Sequence, residues 1–469
     1  MTKMPEIPIA TEEKKKNRER KRADRIEKRG GDEDSGTNIK DNKRNDNENK
    51  NNACYDKETK KENTNEGKKG EERVEKYIEK KGEIADEPCK EDNEERYRIE
   101  ELIIDADIAI EEERFSDALL HLNRVLELKD DEEIVFKKAK VLYMMYNYTE
   151  SIELCNKLLE QNAKNLRALI LKADIHRDLG QKEYALSCYN RAIALCPRNA
   201  EAWYGKGVIL VQLGNKSDAM FCFEKAISLD ENMTHAWNQK GLIFYHERRL
   251  KEALECFEKA VEVCKTNKYA HNNRGLVLSD MGRKEEALSA YDEALKLDPN
   301  MVEALNGKGR TLYGLGRKEE AMEYYDKALE VNANYAWAWN NKGVSYYDDG
   351  RLQEALEAFE KALSANPEHI LAMGNKGLVL YRFRRYTEAL ECFEKAIMLD
   401  PIDRVGWTGK GDVFFMQGDY EEALKCYEKV LEHHPTDAHA AEGKRRAIEA
   451  LKAPKNENFM QEENEFDLF

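Results

Sequence analysis

The chain has 469 residues, with 77 Lys and Arg against 93 Asp and Glu and a formal net charge of −16. Apolar residues make up 41% and charged residues 36%, against about 45–50% and about 25% in an ordinary soluble domain. No run approaches the roughly 18 apolar residues of a membrane span, and no apolar core of roughly 7 to 15 residues follows the start. Neither a membrane helix nor a secretory signal is expected, and a cytoplasmic setting is.

Residues 1–98 hold 27 basic and 27 acidic side chains, no Leu, Phe or Trp, and only 12 Ile, Val, Met or Tyr. That is too little apolar surface to offset the entropy of ordering a chain, so a disordered charged arm is expected. Within it, Lys14 to Arg29 carries ten basic against three acidic residues. A basic run of this kind binds nucleic acid or an anionic surface by counterion release, and nucleic acid is not expected as a partner elsewhere. The plainer reading is a solvated stretch. Lys40 to Lys69 is Asn/Lys-rich and of low complexity, which predicts flexibility.

From residue 99 onward a 34-residue period governs the chain. It is weak in two divergent copies over 99–165, around Ala118 and Leu122 and around Ala139 and Leu142, where Ser151 and Cys155 stand at later repeat positions. Over 166–437 it runs through eight good copies. Trp203, Trp237, Trp339 and Trp407 are separated by multiples of 34, and Gly207, Gly241, Gly275, Gly309, Gly343, Gly377 and Gly411 follow one another at that spacing. Alanines from Ala185 to Ala423 do the same, each followed four residues later by a Tyr or Phe.

Each unit has room for two helices of about 13 residues. Gly180, Gly214, Gly282, Gly316, Gly350 and Gly418 mark the turn between them, where a left-handed residue ends the first helix without a Cβ penalty. Pro197, Pro299, Pro367, Pro401 and Pro435 mark the end of the second helix, since proline within a helix costs about 3 kcal/mol. Asn300 with Glu303 predicts a capping-box start. Residues 438–451 repeat apolar positions at Ala441, Ala447, Ile448 and Leu451, the pattern of a solubilising terminal helix. The tail, 452–469, combines five acids with Phe459, Met460, Phe466, Leu468 and Phe469; it is either a disordered remnant or a short motif for another protein or a neighbouring groove.

Trp339, Gly343, Tyr346, Ala355, Phe359, Ala362 and Pro367 reproduce, in the unit from 336 to 369, the pattern of the tetratricopeptide repeat (TPR) family, which the chain resembles over about three quarters of its length. The resemblance implies an all-α fold: a right-handed superhelical solenoid of about ten 34-residue helix-turn-helix repeats. It also implies a concave groove lined by first helices. Asn238, Asn272, Asn306 and Asn340 occupy one position of those helices, and Asn273, Asn341 and Asn375 the next. A side-chain amide offers both donor and acceptor and so matches a peptide unit.

The TPR arm of O-linked N-acetylglucosaminyl transferases holds peptides through such a ladder. The chain is similar to that arm and lacks the catalytic half. Asparagine tolerating a crowded solvated helix face is the structural alternative. A second stripe, Tyr245, Tyr313, Tyr347 and Tyr381 with Phe415, falls near the groove mouth. Trp337, two residues before the packed tryptophan position, is a candidate anchor, or else a cover for the neighbouring repeat. The groove type that takes a chaperone C-terminus is not expected, because the repeats flanking Asn273 offer Asn238, Leu242, Glu303 and Gly307 where that family needs cations.

Cys188, Cys222, Cys256, Cys392 and Cys426 share one repeat position. Neighbours would lie about 10 Å apart, beyond disulfide reach, so reduced packing cysteines are expected. The histidines show no metal-ligand spacing. Gly307-Lys308-Gly309 and Gly409-Lys410-Gly411 do not continue as a P-loop. No catalytic residue, metal or cofactor is assigned. The expected function is a non-enzymatic scaffold that binds extended segments of other proteins through the asparagine ladder. An accessory or targeting subunit of a separate enzyme, such as a glycosyl transferase, is the alternative, and an adaptor with a nucleic-acid-binding arm a weaker one. The acidic balance of residues 99–469 points to basic or neutral partners; self-association stays open.

Overall fold

The computed structural model describes residues 91–452, which contain 21 α-helices and, among the described residues, no strand. The run from Lys14 to Arg29, the rest of the chain before residue 91, and the tail after 452 lie outside the described residues. Helices follow one another in pairs: α1 (Glu91–Glu111) with α2 (Phe115–Leu128), α3 (Glu132–Met144) with α4 (Tyr148–Gln161), and α5 (Leu166–Asp178) with α6 (Lys182–Leu195). Next come α7 (Ala200–Gln212) with α8 (Lys216–Leu229), α9 (Thr234–His246) with α10 (Leu250–Val263), and α11 (Lys268–Asp280) with α12 (Lys284–Leu297). Then α13 (Val302–Gly314) pairs with α14 (Lys318–Val331), α15 (Ala336–Asp348) with α16 (Leu352–Ala365), and α17 (Ile370–Arg382) with α18 (Tyr386–Leu399). The last pair is α19 (Arg404–Gln417) with α20 (Tyr420–His433), followed by α21 (Ala438–Lys452). This is an α-solenoid of helix-turn-helix repeats. Helix α1 begins inside the 1–98 segment expected to be disordered; its buried residues start at Leu102, and once that part is nucleated, extension towards Glu91 gains one backbone hydrogen bond per residue fixed.

One turn geometry recurs in every pair. Gly180 N–H donates to Arg177 at 2.9 Å and Gln181 N–H to His176 at 2.8 Å, the two bonds that satisfy orphan carbonyls at a helix end. The same bonds recur at Gly214, Gly282, Gly316, Gly350 and Gly418, all with φ between 72° and 86°. Glu113, Tyr146, Arg248 and Arg384 complete the set with φ of 59–61° and no glycine. Between repeats, Asn165, Asn199, Asn267, His369 and Asp403 cap the next first helix through their side chains. The expected Asn300–Glu303 box does not form: the N-cap of α13 is Met301, with no side-chain cap. Asn300 N–H instead donates to Asp298 Oδ1 at 3.0 Å, because the turn ending α12 recruits that amide first.

The core lies between helices of each pair and between neighbouring pairs. Tyr189, Phe223, Phe257, Tyr291, Tyr325, Phe359, Phe393 and Tyr427 are fully or almost fully buried. A Cβ added to Gly343 would stand 2.5 Å from the Phe359 ring, and Gly207, Gly241, Gly309 and Gly377 meet their rings as closely. Glycine therefore lets the first helix rest on the aromatic of its partner. Trp203, Trp237, Trp339 and Trp407 each donate the indole N–H to a carbonyl six residues back, at 2.9–3.1 Å, fastening the first helix to the preceding turn. Ion pairs join a second helix to the next first helix sixteen residues on: Lys240 to Glu224 (3.0 Å), Lys376 to Glu360 (2.9 Å), Lys410 to Glu394 (2.7 Å) and Lys444 to Glu428 (2.9 Å).

Candidate peptide-binding groove

In most neighbouring repeats the first helices approach one another more closely than the second helices do. The first-helix side is therefore the inner side of the stack, and all seven asparagines stand on it. They bond to one another. Asn273 Nδ2 donates to Asn238 Oδ1 at 3.0 Å, and Asn272 Nδ2 to Asn273 Oδ1 at 3.2 Å. Farther along, Asn375 Nδ2 donates to Asn340 Oδ1 (3.0 Å), Asn340 Nδ2 to Asn341 Oδ1 (3.4 Å) and Asn341 Nδ2 to Asn306 Oδ1 (2.9 Å). The two registers therefore form two amide chains that cross the repeat boundaries. The gap between the chains falls at Gly307, which stands in the register of Asn273 and Asn341, and a Cβ there would lie 2.6 Å from the Tyr291 ring. Asn238, Asn273 and Asn340 are buried, whereas Asn272, Asn306, Asn341 and Asn375 are half-buried. Every amide in the chains retains a hydrogen or a lone pair beyond these bonds.

The tyrosine stripe is half-buried as well. Tyr245 donates its hydroxyl to Asp280 Oδ2 at 2.7 Å, and Arg310 reaches Asp280 Oδ1 at 3.1 Å. Burial and that bond push the Tyr245 hydroxyl up to about 12. Tyr313 has Lys318 Nζ 6.0 Å from its ring centre, Tyr347 has the Arg382 guanidinium at 5.8 Å, and Tyr381 lies 5.8 Å from Tyr386. Trp337 is 41% exposed, with its ring centre 4.4 Å from that of His369. It thus reaches over the cap of α17 while presenting an open face.

Charged groups cluster at both ends of this surface. Arg177 bonds Asp174 at 2.6 Å and Asp178 at 3.1 Å, and Tyr189 donates to Asp174 at 2.6 Å. Burial raises the Asp174 carboxyl despite Arg177 beside it. At the other end Tyr427 donates to Asp412 at 2.7 Å, and the His439 ring contacts both Asp412 oxygens at 3.0 and 3.1 Å. In the middle, burial pushes the His235 imidazole down to about 4, so it is neutral beside Tyr204, 6.3 Å away.

Family models described as tetratricopeptide repeat match residues 272–336 and 340–404, 200–233 and 405–437, and 233–300, and one described as TPR repeat matches 173–214. Between them they cover more than half the chain, and they coincide with the helix pairs whose glycines rest on aromatics. The chain belongs to the tetratricopeptide repeat family. No curated protein matches it. Among solved structures it is similar to yeast Tom70 (14% identity, 77% of this chain and 96% of that chain, TM-score 0.45) and to a chain of the APC/C hetero-tetramer Cut9–Hcn1 (14%, 75% and 96%, 0.44). It is also similar to YrrB, a TPR protein with an unusual peptide-binding site (26%, 40% and 97%, 0.34).

The TPR units distribute charge unevenly. The first helices from α5 to α19 hold 14 Lys and Arg against 7 Asp and Glu, and the second helices from α6 to α20 hold 14 against 26. The acidity of the repeats is thus a property of their second helices, and Lys240, Lys376 and Lys410 of the first helices are turned towards those acids. Periodicity alone did not expose this, nor the pairing of side chains 35 residues apart, which joins Asn238 to Asn273, Asn306 to Asn341, Asn340 to Asn375, and Tyr245 to Asp280. That spacing, one repeat plus one residue, is the signal by which the pairs are found in retrospect. The repeated cysteines sit against the core, and burial pushes the Cys222 and Cys256 thiols up to about 11. Among the described residues there is no cluster of His, Cys, Asp or Glu that could hold a metal ion, and no helix long and apolar enough to cross a membrane.

Proposed function

We propose that this TPR protein is a non-catalytic scaffold in the cytoplasm whose groove holds extended segments of other proteins by their backbone. The amide chains carry the reading. Mutual hydrogen bonds fix the orientation of each asparagine before any ligand arrives, so the ordering cost of binding is reduced. The half-buried Asn272, Asn306, Asn341 and Asn375 are the contact groups, and buried Asn238, Asn273 and Asn340 are their supports. The likeness to the peptide-holding arm of glycosyl transferases rests on these same residues. Tyr245, Tyr313, Tyr347 and Tyr381 line one rim and Trp337 stands at the other. At about 1 kcal/mol net per hydrogen bond, a handful of rungs gives micromolar affinity, on the order of −8 kcal/mol. A cytoplasmic setting suits thiols that stay reduced.

The test is a peptide selected from a displayed library on the full chain, remade with backbone esters in place of single amides. Each ester within the contacted stretch should weaken binding about 3- to 10-fold, and Asn306→Ala with Asn341→Ala should do the same while circular dichroism is retained. Peptides whose affinity depends only on their side chains would remove the backbone reading.

A further inference from the structure

The second residue of each first helix faces the groove rim, and its character changes along the chain. It is Glu201, His235, Tyr269 and Glu303 in four successive repeats, then Trp337, Leu371 and Val405. Trp337 and Leu371 are 41% and 47% exposed. The three positions are apolar at one register of successive first helices: the Trp337 ring lies on His369 just before α17, and Val405, half-buried, stands within 3.0 Å of where a Cβ on Gly374 would sit. One turn farther into each helix comes the longer amide chain, ending at Asn375. On the opposite rim, Arg382 is exposed, stacks 5.8 Å from the Tyr347 ring, and forms no ion pair among the described residues. Helix α17 bears two cations, Lys376, which is paired with Glu360, and Arg382, and no acid. An exposed Trp–Leu strip beside polar rungs and an unpaired cation is a docking surface rather than a finished one.

We propose that residues 453–469 of this same chain occupy that surface and compete with its external ligands. The segment carries five acids against one lysine, together with Phe459, Met460, Phe466, Leu468 and Phe469, so it supplies both aromatic groups for the strip and negative charge for Arg382. It follows directly on α21, which packs on α20 and touches α19. The strip lies on α15 to α19 at the N-terminal ends of their helices, and with neighbouring helices about 10 Å apart and about 20 Å to cross from the C-terminal end of α21, the distance to be covered is roughly 20–40 Å. Seventeen extended residues span up to about 55 Å. The acid balance also argues against the second helices as the seat, since those carry the molecule's excess of negative charge and would repel the segment. The inference rests on the groove reading and adds its regulation.

A fluorescent peptide of residues 453–469 tests it by anisotropy on two full-length chains: the native one, and one with Phe466→Ser, Leu468→Ser and Phe469→Ser. The silenced chain should bind the peptide at micromolar concentration, the native chain at least tenfold more weakly because its own segment competes. Trp337→Ala in the silenced chain should cost at least tenfold, and Trp337→Phe, which keeps an aromatic ring, much less. Acrylamide should quench Trp337 more readily in the silenced chain. Equal binding by the native and silenced chains, or none by either, overturns the proposal. If a library-selected peptide still binds with asparagine dependence, the groove reading survives that failure; if it too fails to bind, both fall. A concentration-dependent dimer seen by light scattering, abolished in the silenced chain, would seat the segment on a second copy and overturn the intramolecular arrangement.

Discussion

Arg248 and Arg384 occupy the left-handed turn position, at φ of 60° and 59°, that glycine fills in six other repeats. An L side chain there costs roughly 1–2 kcal/mol, part of which is offset because glycine gains more freedom in the unfolded chain. Arg248→Gly and Arg384→Gly should each stabilise by roughly 0.5–1 kcal/mol, read as a higher denaturant midpoint; unchanged or lower midpoints would show that the arginine side chains contribute more than their backbone strain costs. Gly343 has the opposite sign. Its Cβ would enter the Phe359 ring, and overpacking of this kind costs about 1–3 kcal/mol. Gly343→Ala should lower the midpoint accordingly, while a melt equal to the native one would mean that the ring has room to move.

At the scale of the element, α21 is held to the last repeat by His439, which meets Asp412 of α19, while Tyr427 of α20 donates to the same carboxylate. Burial lowers the affinity of His439 for a proton, but the hydrogen bond to Asp412 and its charge outweigh burial, with Asp437 adding to them and Arg404 opposing, and the net shift is upward. A raised folded value means that the protonated ring stabilises docking fully below its unfolded value of about 6.5. That contribution is lost as pH rises through the folded value. Amide exchange in α21, corrected for intrinsic rate, should therefore accelerate relative to α19 as pH increases from 6 towards 8, and His439→Gln should flatten the profile. A profile in which α21 loosens on acidification would reverse this assignment.

For the whole molecule, the net charge of −16 misdescribes the surface a ligand meets. Within the repeats from α5 to α20 the acids sit mostly on second helices, many of them paired locally, as Glu252 is with Arg249 and Glu286 with Arg283. Helix α17 carries no acid, and with Lys376 paired to Glu360 its exposed cation is Arg382. A library-selected peptide carrying Glu near Arg382 should bind at least as tightly as its Lys counterpart, with the difference shrinking as salt is added. A tenfold preference for Lys at low salt would mean that the field of the second helices reaches around the repeats and dominates.

Much of the architecture was legible because a repeat repeats its packing contacts. The spacing of Trp339, Gly343, Phe359 and Pro367 encodes a local problem solved the same way in every unit: a close helix approach, a ring to fill it, and a turn that only certain residues make cheaply. The turns at Tyr146, Arg248 and Arg384 escaped that reading because neighbouring repeats force the same backbone there without the residue that advertises it. The Asn300–Glu303 cap was misread because two local options compete for one amide and the surrounding turn decides between them. The asparagines were legible as residues on the groove side, but their hydrogen bonds to each other were not. Which amide meets which depends on how far one repeat is shifted and rotated against the next, a relation between separate helices. By itself the sequence determined the period, the turns and the small-against-aromatic core, all set within about one repeat. The paired amide chains, the exposed strip around Trp337 and the separation of charge between inner and outer helices were decided only by the stacking of repeats, since they arise between residues that no local preference links.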